Sequence, residues 1–122
     1  MRLDFRDDRP IYLQLAEAIE DDILRGVFRE EEQVPSTTEM SVTLKINPAT
    51  SAKGMALLVE NGILYKKRGV GMFVSTGARE QIAHKRKEDF FDHYIVTLLE
   101  EARKLGISRE ELIELIKRGT GA

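Results

Sequence analysis

The spacing of apolar residues near the N-terminus predicts a first helix. One leucine and three isoleucines recur at every fourth position, namely Ile11, Leu15, Ile19 and Ile23. This spacing places them on one buried stripe of an α-helix. Asp7, Asp8 and Pro10 indicate its start, because short acceptor side chains cap free amides and proline tolerates the first turn. Gly26 indicates its end, and the acidic residues of 17–22 are expected to form a solvated face.

The next apolar pattern predicts two short helices separated by a tight turn. Ser36-Thr37-Thr38-Glu39 fits a capping box at the start of the first of them. After a turn at Lys45-Ile46, Asn47-Pro48 places an N-cap acceptor before a proline, the preferred order at the start of a helix. The second helix is expected to end at Asn61-Gly62. The residues expected to be buried are Met40, Leu44, Met55, Leu58 and Val59.

A β-hairpin is predicted directly after these helices. Residues 63–67 favour a strand, Arg68-Gly69-Val70-Gly71 forms a tight basic turn, and residues 72–74 form the returning strand. The two glycines permit the positive φ angles that such turns require. The predicted fold is therefore mainly α with a small β-hairpin wing, and residues 1–76 are expected to form a winged helix-turn-helix domain.

The C-terminal part, residues 77–122, is predicted to be a two-helix segment. Residues 78–105 contain no internal glycine or proline, and Ser108-Arg109-Glu110-Glu111 fits a second capping box. The long helix carries apolar residues at alternating spacings of four and three, typical of a heptad seam, widened by three more. These eight residues are Phe90, Phe91, Tyr94, Ile95, Leu98, Leu99, Ala102 and Leu105. Two helices cannot bury so wide a surface alone, so a homodimer is expected.

The net charge of -2 and a pI near 5.8 argue against nucleic-acid binding, but the charges are segregated. Residues 45–87 hold 9 Lys and Arg against 2 Asp and Glu, a charge of +7, while the flanking segments carry -6 and -3. Lysines that only solvate a surface would be scattered. This distribution therefore favours one face that binds a polyanion.

Small, polar or basic residues begin the helix that follows Asn47, as expected of a recognition helix whose N-terminal side chains enter the major groove. The candidates for base edges are Asn47, Ala49 and Thr50. The candidates for phosphate contacts are Lys53, Lys66, Lys67 and Arg68. Double-stranded DNA is therefore the predicted partner.

Several motifs in order strengthen this interpretation: PIYLQ, LRG, PS-x-x-E, INPAT and ENGILYKKRGVGMFV. Over residues 10–75 the chain resembles the winged-helix domain of GntR-family transcription regulators. The resemblance implies DNA contacts at Ser36, Thr38, Asn47, Ala49, Thr50, Ala52, Lys53, Arg68, Gly69 and Val70, and the predicted site also includes Thr37 and Gly71. Many members carry Arg where this chain has Thr38 and Ala52. The short helical tail resembles the YtrA-like subfamily, in which this segment chiefly dimerises the protein.

Other functions find little support in the sequence. It has no cysteine, no complete nucleotide-binding motif and no long apolar run, so we expect a cytoplasmic protein without a cofactor or membrane partner. His84 and His93 would lie on opposite sides of one helix and cannot share a metal ion. An enzyme would have to rely on carboxylates alone. No residue pattern identifies a small-molecule effector.

The prediction is a homodimeric, sequence-specific DNA-binding regulator, more specifically a repressor acting on a pseudo-palindromic operator. The competing hypothesis is a winged-helix module that binds another protein and no DNA.

Overall fold

The computed structural model describes residues 1–121. Its elements are α1 (Ile11–Leu24), α2 (Thr37–Leu44), α3 (Pro48–Glu60), β1 (Leu64–Lys67), β2 (Gly71–Val74), α4 (Ala78–Phe90), a π-helical segment (Phe91–Ile95), α5 (Val96–Lys104) and α6 (Arg109–Gly119). The predicted mainly α fold with a two-stranded antiparallel hairpin is confirmed. The chain divides into two compact units, a first unit of Met1–His84 and a second unit that begins at Lys85.

The first unit has a continuous apolar core. It is formed by Leu15, Ala16, Ile19, Ile23, Val34, Met40, Met55, Leu58, Ile63, Leu64, Val74, Ala78 and Ile82. The predicted stripe of α1 is buried except for Ile11, which is half-buried. The prediction for Val59 is wrong, since this side chain is 37% exposed. Because Ala78 and Ile82 of α4 pack into this core, the first unit extends beyond Thr76 to His84.

The start of α1 differs from the prediction. Pro10 occupies the N-cap position and no side chain caps the helix. Asp7 Oδ1 instead accepts a hydrogen bond from the Arg9 amide at 2.8 Å, which lowers the pKa of the Asp7 carboxyl. The end is as predicted, with Gly26 at a φ of 81° just after the C-cap. Asp22 is buried and paired with Arg25, so the acidic face of α1 is not solvated throughout.

Helices α2 and α3 begin where the sequence predicts, with the predicted capping residues. Ser36 Oγ accepts from the Glu39 amide at 3.1 Å, and the Glu39 carboxylate accepts from the Ser36 amide at 3.0 Å. Lys45 adopts the left-handed conformation that turns the chain between the helices. Asn47 Oδ1 then accepts from the Ala49 amide at 2.8 Å, with Pro48 as the first helical residue. Local capping thus fixes both ends of the predicted turn.

The hairpin pairs Tyr65 with Phe73 and Lys67 with Gly71 in antiparallel register. The segment before α2 adds hydrogen bonds along its other edge. The Val34 amide donates to the Met72 carbonyl at 2.9 Å, and Gln33 forms an isolated bridge with Phe73. The link between α1 and α2 therefore supports the wing from one side.

The second unit is helical, and its first helix carries a π-helical segment that the sequence pattern did not predict. The wider i to i+5 spacing of that segment adds a residue to one turn and shifts the apolar stripe around the helix. Ser108 Oγ caps α6 by accepting from the Glu111 amide at 3.1 Å. Within residues 1–121, no helix is both long and apolar enough to cross a membrane.

Candidate nucleic-acid interface

Helix α3 presents a stripe of small residues and one lysine to solvent. Its exposed positions include Ala49, Ala52, Lys53 and Ala56, spaced by three and four residues. Its opposite face buries Ser51, Gly54, Met55 and Leu58. Small side chains let the helix backbone approach a flat or grooved partner closely. Ala56 continues this stripe, although it is not among the site residues predicted from the sequence.

Two close contacts fix α3 within the first unit. Gly54 faces α1, where a Cβ atom would lie 2.9 Å from the Tyr12 carbonyl oxygen and 3.1 Å from Leu15 Cδ2. Ser51 is fully buried and its Oγ lies 2.9 Å from Ser41 Oγ of α2. The small residue and the hydroxyl pair therefore set how α3 sits against its two neighbouring helices.

Two residues of the predicted site use their side-chain oxygen atoms to cap helices, so these oxygens are less available to accept hydrogen bonds from DNA. Ser36 Oγ and Asn47 Oδ1 already accept backbone hydrogen bonds. The Nδ2 amide of Asn47 is then the donor that this exposed side chain can direct to a base edge. Hydrogen bonds from the Ser36 amide and side chain lower the pKa of Glu39, so this carboxylate stays charged within the cap.

The wing carries its charge at an exposed tip. Lys66, Lys67 and Arg68 are exposed, and the turn uses positive φ angles of 78° at Gly69 and 145° at Gly71. Val70 is 59% exposed between the two glycines. Gln33 Nε2 donates to the Val70 carbonyl at 3.0 Å and so ties the tip to the segment before α2.

Two lysines of the predicted site lie over aromatic rings. Lys53 Nζ is 4.1 Å from the centroid of the Tyr12 ring, and Lys67 Nζ is 4.5 Å from that of Phe73. Neither Tyr12 nor Gln33 belongs to the site predicted from the sequence. Tyr12 stands in the PIYLQ motif, but no local pattern relates it to a lysine 41 positions later.

The Glu31 carboxylate supports the base of the wing. The Glu31 carboxylate accepts hydrogen bonds from Thr76 Oγ1 at 2.6 Å and from the Tyr65 hydroxyl. The bond from Thr76, followed by that from Tyr65, lowers the pKa of Glu31, and the same contact with Glu31 raises the pKa of Tyr65. Through Glu31, these contacts connect Thr76, two residues after the hairpin, with Tyr65 of β1.

The remaining residues of the predicted site differ in how far they are exposed to solvent. Thr38 and Ala52 are exposed, while Thr37, Thr50 and Gly71 are half-buried. All the predicted DNA contacts fall on the start of α2, on α3 and on the hairpin of the first unit. In the part of the chain that the structure describes, no three His, Asp or Glu side chains are grouped as a metal site would require.

Comparison with known proteins identifies the family. The model of the bacterial regulatory proteins of the gntR family matches residues 11–74, which span α1 to the end of the hairpin. The chain belongs to the GntR family. It is accordingly a transcription regulator with a winged helix-turn-helix of the DNA-binding class, and not an enzyme.

Two similar proteins match nearly the whole chain, and not the DNA-binding domain alone. The HTH-type transcriptional repressor YtrA of Bacillus subtilis is 27% identical, and the match covers 96% of this chain and 89% of YtrA. A putative GntR-family regulator from Bacteroides thetaiotaomicron, known from its crystal structure, is 34% identical with a TM-score of 0.74; the match covers 91% and 97% of the two chains.

A third match concerns the DNA-binding domain alone. The DNA-binding domain of AraR, solved in complex with operator ORE1, is 28% identical with a TM-score of 0.54. The match covers 61% of this chain and 90% of that domain. The winged-helix part of this GntR regulator thus shares its fold with a domain solved in complex with operator DNA.

Proposed function

We propose that this GntR regulator is a cytoplasmic homodimeric repressor that binds a pseudo-palindromic operator. The observation that carries the proposal is the set of exposed basic side chains on α3 and the wing, beside the small exposed residues of α3: Lys53, Lys66, Lys67 and Arg68. The operator complex of the similar AraR domain supports DNA as the partner. Similarity to the transcriptional repressor YtrA supports a role in repression.

The contacts divide by chemistry. Lys53, Lys66, Lys67 and Arg68 bind phosphates, because exposed cations provide affinity that does not depend on sequence. Asn47, Ala49 and Thr50 face base edges, where an amide and small groups discriminate between base pairs. Thr38 and Ala52 replace arginines of many relatives, so the wing and Lys53 supply a larger share of the binding energy.

Dimerisation joins two such sites. Six apolar side chains of the helix from α4 to α5 are between 39% and 65% exposed: Phe90, Phe91, Tyr94, Leu98, Leu99 and Leu105. Ile95 is half-buried and Ala102 is buried, so these two predicted dimerisation residues are less accessible to a partner than the other six. A second copy of the chain covers this face, since a homodimer is the commonest way to bury such a surface. Two half-sites about 10 bp apart, or a multiple of that, are then expected.

The test begins with selection of duplexes from a random-sequence library by the full-length protein. The dissociation constant for the enriched duplex is then measured over a salt series. Each phosphate contact contributes about 0.9 to the slope of log K against log salt. We expect the variant Lys67→Ala/Arg68→Ala to bind more weakly with a slope smaller by about 2.

The matched control removes the same charge from α6 through Lys117→Ala/Arg118→Ala. It should leave the slope and the affinity unchanged. An equal loss of affinity in both variants would mean that the total charge of the protein, and not the charge of the wing, determines binding. If no duplex is enriched, the DNA proposal is wrong and the protein-interaction module stands. If the enriched sequence lacks two related half-sites, the operator symmetry is wrong.

Repression follows if the bound dimer blocks RNA polymerase sterically, which requires no surface for activation. In a transcription assay with the enriched site placed across a promoter, added protein should reduce transcript yield. A rise in transcript from every tested placement would contradict the repressor assignment.

A further inference from the structure

The four basic side chains of the proposed DNA interface differ in how they are held. Lys53 and Lys67 place their ammonium groups 4.1 and 4.5 Å from the ring centroids of Tyr12 and Phe73. Within residues 1–121, neither Lys66 nor Arg68 lies over a ring. Both lysines are exposed and both rings are half-buried, so one side of each ammonium group faces a ring and the other faces solvent.

We propose that Tyr12 and Phe73 are positioning residues that hold these two ammonium groups ready to bind DNA phosphates. The inference rests on the proposed DNA-binding function. A free lysine side chain loses much conformational freedom when its end group is fixed. A ring that restricts the side chain before binding reduces this loss, and the ammonium group still has donors for a phosphate on its solvent side.

The backbone of Tyr12 is held against the recognition helix. Gly54 follows Lys53 and packs so closely on α1 that a Cβ atom would lie 2.9 Å from the Tyr12 carbonyl oxygen. At the start of α1, Gln14 Nε2 donates to the carbonyls of Asp4 at 3.0 Å and Arg9 at 3.1 Å. The ring and the ammonium group therefore belong to two helices whose backbones are in direct contact, so the ring stays beside the lysine when α3 meets DNA.

The Phe73 ring is fixed by a second set of contacts. It stacks on Tyr65 with ring centroids 5.9 Å apart and an interplanar angle of 26°. The Tyr65 hydroxyl bonds Glu31, and the backbone of Phe73 forms a bridge with Gln33. The Phe73 ring is thus held by Tyr65 and by the segment before α2, and these contacts are separate from those that hold Tyr12.

A double-mutant cycle on the full-length protein tests the proposal. Tyr12→Leu removes the ring but keeps an apolar side chain, and Tyr12→Phe keeps the ring. With the duplex enriched by the wild-type protein as probe, Tyr12→Leu should raise Kd by about two- to fivefold. Tyr12→Phe should stay near the wild type, and Tyr12→Leu should have no effect in a Lys53→Met background. The same cycle with Phe73→Leu and Lys67→Met applies to the wing.

A merely structural role of the rings gives a different result. Tyr12→Leu would then weaken binding by the same factor with and without Lys53, which overturns the proposal. Tighter binding by Tyr12→Leu also overturns it, because the ring would then restrain the lysine from DNA. These outcomes require an enriched duplex; failure to enrich any duplex contradicts the proposed function itself.

Nuclear magnetic resonance provides a readout on the wild-type chain, which does not depend on any variant folding. The Hε protons of Lys53 should show an upfield ring-current shift in the free protein and keep it when the enriched duplex is added. Loss of the shift on DNA would show that the ammonium group leaves the ring, and would overturn the proposal.

Discussion

The first unit encloses a large apolar core, whereas most large apolar side chains of the second unit lie at the surface. The core of the first unit contains thirteen buried apolar residues. In the second unit, Ala102 is the one buried apolar residue among those described, and nine large apolar side chains are exposed. The difference indicates that the first unit can fold on its own contacts, whereas the second unit needs another surface to cover it.

The physical reason lies in how many elements surround each apolar face. In the first unit, the apolar face of α1 packs against α3, and α2 and the hairpin complete the enclosure. In the second unit, α5 and α6 are short and amphipathic, and exposed apolar residues remain on both, such as Leu98 and Ile116. Two helices enclose too little volume to bury both faces, so a further surface is needed to remove these side chains from water, and the proposed dimer would supply it.

The largest expected effect comes from a charge placed on the exposed face of the second unit. Leu98→Glu should convert the dimer to a monomer, because burying an unpaired carboxylate is costly. Losing the second DNA contact should weaken operator binding by about 100-fold or more, as expected when two linked sites become one. Sedimentation velocity and Kd on the enriched duplex measure the two effects.

The control places the same charge on an exposed apolar residue of the first unit. Val27 is 57% exposed after the end of α1, and Val27→Glu should leave both the mass and the affinity unchanged. A Leu98→Glu protein that stays dimeric would show that the dimer uses a different face. A monomeric variant with full affinity would show that operator binding does not need the second copy.

A smaller effect is expected from truncating a core side chain. Leu58 is 1% exposed and Leu105 is 65% exposed. Leu58→Ala should lower the free energy of unfolding of the first unit by about 2–5 kcal/mol, from lost burial and the cavity that remains. Leu105→Ala should change it by no more than about 0.5 kcal/mol. Urea denaturation in the monomeric Leu98→Glu background measures both values, and equal losses would contradict the contrast between the units.

The smallest effect concerns the serine caps. Ser36→Ala removes the capping box of α2 and should destabilise the first unit by about 0.5–2 kcal/mol. Ser108→Ala removes the cap of α6 and should reduce helix content without moving the unfolding transition of the first unit. Circular dichroism at 222 nm, followed during thermal unfolding, separates the two outcomes. A shift of that transition by Ser108→Ala would show that the units unfold together.

The capping box also predicts a pH dependence. The pKa of Glu39 is lowered by its hydrogen bonds with Ser36. Its stabilising effect is therefore fully present above the ordinary value of 4.5 and is lost as the pH falls through the folded pKa. Glu39→Gln keeps a capping side chain and should flatten this part of the stability profile. An unchanged profile would show that other carboxylates cause the acid dependence.

Much of the fold was predictable because its signals are local. The capping residues Ser36 and Asn47, the glycine after α1 and the basic turn of the wing each act within a few residues. The recognition helix and the wing follow from these signals. The cap of α1 was mispredicted because Pro10, which has no capping side chain, occupies the N-cap position, and Asp7 accepts a hydrogen bond from the Arg9 amide instead.

The sequence by itself determined the order of the elements, the recognition helix, the basic wing and the excess of apolar surface in the tail. Periodicity, capping and charge spacing are properties of neighbouring residues. Only the tertiary structure decided that Tyr12 lies under Lys53, that Gln33 holds the wing tip and that Asp22 is buried. These contacts join residues on different elements or depend on how elements pack, and no local pattern encodes that packing.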